Sequence, residues 1–154
     1  MIAKTETLAL DAKIIVGIEL RTTNSGGQAM QDIGALWGRF MEEQVANKIQ
    51  HKASDNIFCL YTDYETDHTG FYTAIIGCEV SEVEGNEGLS IVHIPASKYQ
   101  VHQLSGKFPE KVYAAWQQIW KNSTNRLYTV DYDLYKPGAN SFDEMEVEIF
   151  VAVK

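Results

Sequence analysis

The sequence predicts an α+β fold: a β-α-β-β unit used twice about a pseudo-two-fold axis, with one antiparallel sheet carrying two main helices. Three observations carry this expectation. Apolar residues recur at helical spacing in two long segments, and each segment is preceded by a strand-like run and followed by two more. The two helical segments also share letters, Ile33-Gly34-Ala35-Leu36-Trp37 against Val112-Tyr113-Ala114-Ala115-Trp116.

The first strand-like run, Lys13 to Leu20, is rich in isoleucine and valine and ends at the polar loop Arg21 to Gly27. A helix follows, because Ile33, Leu36, Trp37, Phe40, Val45 and Ile49 fall on one face and leave Arg39, Glu42, Glu43 and Lys48 for water. Two strands come next, Ile57 to Tyr64 and Phe71 to Val80, joined by Glu65 to Gly70, a polar segment with a glycine suited to a hairpin. The second unit opens with Leu89 to Ile94, a strand or bridging segment, and the alternating run Lys98 to Leu104. Pro109 marks the first turn of the second helix, where its missing N–H does no harm, and Val112, Ala115, Trp116, Ile119 and Trp120 form its apolar stripe. Leu127 to Leu134 and Met145 to Val153 are the last two strands, and Leu60 to Tyr64 lines up in letters with Leu127 to Tyr132. The expected organisation is one domain over 1–154, with repeats at about 10–82 and 88–154 and a groove at their join.

Composition excludes several function classes. A chain of 154 residues, 45% hydrophobic and 22% charged, has the make-up of a globular domain with a sizeable core. A net charge of −8 without Lys/Arg clusters argues against direct nucleic-acid binding, which rests on clustered positive charge. No apolar run approaches the roughly 20 residues of a membrane span, and the first ten residues lack a signal-peptide pattern, so a cytoplasmic protein is expected. Cys59 and Cys78 lie in strand-like runs without metal-ligand spacing and read as packed thiols. There is no phosphate loop, dinucleotide fingerprint or serine elbow, and neither a cofactor nor a metal is expected.

The most informative single residue is Glu148. Strand alternation puts Val147, Ile149, Val151 and Val153 on one face, and Glu146, Glu148, Phe150 and Ala152 on the other. If the second face meets water, Glu148 is a solubilising charge; if it lines an aromatic groove, a cationic ligand is its natural counter-ion. Aromatic faces also attract cations, and Trp37, Trp116, Tyr64 and Tyr72 lie on elements expected to meet at the join. Asn24 either offers an amide to a ligand or caps a turn. Glu65, Asp67 and His68 share a loop that could hold an acid/base pair or a metal, and Glu82, Glu84 and Glu87 form an acidic loop that could meet a protein partner.

Several blocks then stand in a familiar order: Arg21 to Asn24, Ala35 to Phe40, Tyr61 to Gly70, Ile76 to Val80 and Val147 to Val153. Across positions 10 to 154 the chain resembles the gyrase-inhibitor-like small-molecule-binding domains, also known as bacterial transcription-activator (AraC-type) effector-binding domains, and is closest to stand-alone members. The resemblance implies a tandem β-α-β-β fold and, as in multidrug-sensing relatives, an aromatic cavity whose acid engages lipophilic cations; that acid falls on Glu148. It implies a binding module without its own DNA-binding segment, with hydrolysis of a small reactive molecule or action on a protein partner as alternatives. Ala152 departs from the family pattern, which commonly has proline there.

Overall fold

The computed structural model describes residues 2–154. Along the chain come β1 (Ile2–Leu10), β2 (Lys13–Thr23), α1 (Gln28–Glu42), α2 (Val45–Lys48), β3 (Ile57–Thr62), β4 (Phe71–Val80), β5 (Ser90–Ile94), β6 (Ser97–Leu104), α3 (Glu110–Asn122), β7 (Val130–Lys136) and β8 (Glu146–Val153). The strands form one antiparallel sheet in the order β1-β6-β8-β7-β3-β4-β2-β5. Outward from the β3–β7 seam the order is β4, β2, β5 on one side and β8, β6, β1 on the other. Thus β2, β3 and β4 occupy the places that β6, β7 and β8 take in the second unit, and the expected duplicated α+β architecture is observed.

Short connections decide how this sheet curves. Two residues, Asp11 and Ala12, join β1 at one edge to β2 beside the other, and Pro95 and Ala96 join edge strand β5 to β6. Links that short span only about 11 Å, so the two ends of the sheet must approach each other. They do so on the helix-free face, where Ile15 and Ile94 from one end pack with Tyr99, Val101 and Phe150 from the other. The helices cover the opposite face. Leu36 and Phe40 of α1 pack on Val16, Ile18, Ile76 and Cys78, and Ala115, Trp116 and Ile119 of α3 pack on Ile149, Val151 and Val153. Each fully buried side chain of this size contributes about 1.5–3 kcal/mol. Gly17 and Gly77 are paired across β2 and β4, and a methyl on either would collide with the facing carbonyl of Ile76 or Val16.

The structure departs from the sequence reading at several places, of which four stand out. β1 has no counterpart in it, because this edge strand is exposed along most of its length and shows no apolar alternation. β2 runs through Thr22 and Thr23, both buried, although Arg21 to Gly27 reads as loop. The first helix breaks after Glu42, where Gln44 adopts the left-handed conformation and α2 carries Val45 onward. β7 begins at Val130, not Leu127, because Tyr128 at φ 57° cannot continue a strand. Among the described residues, no helix is long and apolar enough to cross a membrane.

Candidate functional site

The two helices leave a cavity of about 540 Å³ between them, floored by β3 and β7, within the size range of small-molecule sites. Its walls are mainly aromatic: Trp37 from α1, Trp116 and Trp120 from α3, Tyr61 and Tyr135 from the floor, Tyr64 and Tyr72 around the β3–β4 loop, and Phe108 before α3. Met30 on α1 and Tyr113 on α3 also line it and remain largely exposed, an apolar rim at its entrance. The pseudo-symmetry is visible in the rings. Trp37 packs edge-on against Tyr135 at 5.0 Å and 81°, and Trp116 against Tyr61 at 5.3 Å and 81°, so each helix places its tryptophan on a tyrosine from the other unit's central strand. The helix letters therefore align as the sequence suggests. The strand letters do not, since Tyr135, not Tyr128, is the counterpart of Tyr61.

With Tyr61 matched to Tyr135, Cys59 matches Asp133, and these two face each other across the β3–β7 seam. The symmetry is broken there chemically, a buried thiol on one strand and a carboxylate on the other. Asp133 is 1% exposed and lines the cavity. Its Oδ2 accepts hydrogen bonds from the Tyr61 hydroxyl at 2.6 Å and the Tyr135 hydroxyl at 3.3 Å, and its Oδ1 accepts one from the Trp116 indole N–H at 2.7 Å. Among the described residues no Lys, Arg or His forms an ion pair with it. Burial pushes its pKa up to about 6, against the pull of the three donors. The floor thus holds an acid that ionises near neutrality in an aromatic enclosure.

A second buried acid, Asp131, is treated differently. Its Oδ2 accepts from Arg126 Nη2 at 2.6 Å and from the Tyr64 hydroxyl at 2.6 Å, while its Oδ1 accepts from the Ala152 backbone N–H at 2.8 Å. Arg126, 5% exposed, reaches the cavity wall with its guanidinium carbon 4.3 Å from the Tyr128 ring centroid. His68 also lines the cavity, its imidazole stacked on Trp120 at 5.7 Å and 5°. Burial, and then the charge of Arg126, lower the His68 pKa and keep the ring neutral.

Of the residues singled out from sequence, Trp37, Trp116, Tyr64, Tyr72 and Asn24 come together on this cavity. Asn24 spends its amide locally: it donates to the His68 carbonyl at 2.9 Å and accepts from the Tyr72 hydroxyl at 2.6 Å, so it anchors the loop that carries His68. The expectation for Glu148 is corrected. It pairs in register with Leu134, on the face of β7 and β8 that also carries Tyr132 and Phe150, and that is the helix-free face. Lys136 Nζ lies 3.0 Å from its Oε1. Alternation along β8 sends Val147, Ile149 and Val151 toward the helices and Glu148 away from them. In the Glu65–Asp67–His68 loop, Asp67 accepts from the Thr69 backbone N–H at 2.8 Å and so braces its own turn. Sequence reasoning missed Asp133, Arg126, Tyr61, Tyr135, His68 and Trp120 as wall residues. A signal for the first was present: Asp131 and Asp133 stand two apart inside a strand-like run, and so share a face.

Comparison with known proteins places this geometry among relatives. The family described as Cass2, integron-associated effector binding protein, matches residues 8–153. The transcriptional-regulator-like protein YobU of Bacillus subtilis (strain 168) is 30% identical over 152 residues, 94% of each chain. Among solved structures, SAV2435 bound to tetraphenylphosphonium is similar with a TM-score of 0.82 at 24% identity, over 99% of this chain and 94% of that one. The Vibrio cholerae integron cassette protein VCH_CASS2 is similar with a TM-score of 0.73 at 26% identity, over 97% and 95% of the two chains.

Proposed function

The chain belongs to the Cass2 family of integron-associated effector-binding proteins, and on that premise we propose that it binds lipophilic aromatic cations in the cavity between α1 and α3. The observation that carries this reading is Asp133, a buried carboxylate with three neutral donors and no cationic side chain paired to it. Leaving such a group ionised costs free energy, and an entering cation offsets that cost. The tryptophan and tyrosine walls add about 0.5–2 kcal/mol each through their π-faces, depending on how fully the cation is desolvated. The similar SAV2435 structure holds tetraphenylphosphonium, a cation of the kind these walls suit. The role is binding, not turnover. The relatives in the family and in Bacillus subtilis are named as effector-binding and regulator-like proteins.

Tryptophan fluorescence reads out binding, because Trp37, Trp116 and Trp120 all line the cavity. Tetraphenylphosphonium should bind saturably and at least about tenfold tighter than neutral triphenylphosphine oxide. Asp133, with a pKa of about 6, is ionised at pH 8 and mostly protonated at pH 5, so the cation's affinity should be about tenfold weaker at pH 5. Equal affinities for cation and neutral compound, or no change with pH, would sink the electrostatic reading. Glu148→Gln should change cation affinity by less than about twofold, because Glu148 lies on the other face of the sheet, paired with Lys136. A large loss in that variant, measured by the same titration, would return the acid's role to β8.

A further inference from the structure

Of five buried side-chain nitrogens and oxygens that lack a hydrogen-bond partner among the described residues, three belong to two residues of the cavity wall: Arg126 Nε, Arg126 Nη1 and His68 Nδ1. Buried polar groups are nearly always paired, and a guanidinium nitrogen can only donate. Arg126 is held rigidly, with Nη2 on Asp131 and its carbon 4.3 Å from the Tyr128 ring centroid, and this leaves the other two nitrogens unpaired. Behind it, Asp131 is already satisfied by the Tyr64 hydroxyl and the Ala152 amide, so its charge is shared among three donors. His68 stacks on Trp120 with a neutral ring that can carry its proton on Nδ1. Trp116 stands between the two polar ends of the cavity: its indole N–H is on Asp133, and its ring lies 5.8 Å from the guanidinium carbon of Arg126.

Resting on the cation-binding reading, we infer that the cavity has a second, acceptor-binding subsite at Arg126 and His68, and that its ligand class is zwitterionic: an aromatic cation bearing a carboxylate about one ring's width from its positive centre. Asp133 takes the positive end and the unpartnered nitrogens take the carboxylate. Hydrogen bonds to an ionised acceptor such as a carboxylate are the strong kind.

A matched dye pair tests this, a cationic rhodamine methyl ester and its free acid, which differ only in the carboxylate. By fluorescence anisotropy at pH 8 the wild-type protein should prefer the acid by about tenfold, the scale of one charged hydrogen bond. Two variants should bring the acid-to-ester affinity ratio to about one: His68→Phe, which keeps a ring to stack on Trp120, and Arg126→Lys, which keeps a cation for Asp131. Equal wild-type affinities, or a preference that survives both variants, would overturn the subsite. Tetraphenylphosphonium, which has no acceptor, separates the two ideas. If it binds while acid and ester bind alike, the subsite is wrong and the cation site stands; if it does not bind, the cation reading falls and takes the subsite with it.

Discussion

Asp133→Asn should weaken tetraphenylphosphonium binding thirtyfold or more, roughly 2 kcal/mol, and at the same time raise the melting temperature of the ligand-free protein at pH 8. The first effect follows from removing a buried charge a few ångströms from the ligand's own, an attraction of about 4 kcal/mol in a medium of intermediate polarity before desolvation is counted. The second follows from linkage. The folded state raises the Asp133 pKa to about 6 from an ordinary carboxylate value near 3.8. Its contribution to stability is therefore fully present below about pH 4 and is lost as pH rises through 6, where the folded protein must hold a costly charge. A neutral amide removes that cost. The gain at pH 8 is at most about 3 kcal/mol, reduced because Asn offers one acceptor oxygen where the carboxylate accepts from Tyr61, Tyr135 and Trp116. Thermal unfolding at pH 8 and at pH 4 checks it: the variant should be stabilised at the higher pH only. A variant that binds the cation as tightly as wild type refutes the assigned role, and one destabilised at both pH values refutes the electrostatic account.

Arg126→Ala should destabilise the fold by about 3–5 kcal/mol, since it leaves Asp131, 0% exposed, without its counter-charge. The remaining donors, the Tyr64 hydroxyl and the Ala152 amide, do not supply a positive charge. Removing both charges should be far milder. The double variant Arg126→Met with Asp131→Asn should recover most of the loss in chemical denaturation, whereas a simple packing role for Arg126 would leave it as unstable as Arg126→Ala. The two acids of β7 thus predict opposite outcomes. Neutralising the one without an ionic partner stabilises, and stripping the other of its partner destabilises.

Much of the architecture was legible because its signals are local. The stripe Leu36–Phe40 and the stripe Ala115–Trp116–Ile119 bury the faces their spacing indicates, and β4 and β6 fall within a residue of their apolar runs. β1 was not legible, because an exposed edge strand gains its partners from β6 and not from any pattern of its own. The aromatic walls were partly legible, since Trp37 and Trp116 sit at matching places in the two helices. The acid was not. Alternation sorts Glu148 from Val147 and Asp133 from Tyr132, but it does not say which side of the sheet the helices cover.

By itself, then, the sequence determined the duplicated β-α-β-β order, the two amphipathic helices and the aromatic supply, because spacings of two and three to four residues are fixed by backbone geometry. Only the tertiary structure decided which buried carboxylate faces the cavity, which one is neutralised by Arg126, and which nitrogens stay unpaired. Those outcomes depend on side chains brought together across the sheet, as with the Tyr61 hydroxyl and Asp133, 72 residues apart in the chain. A charge acquires its role from the burial and the partners such contacts give it.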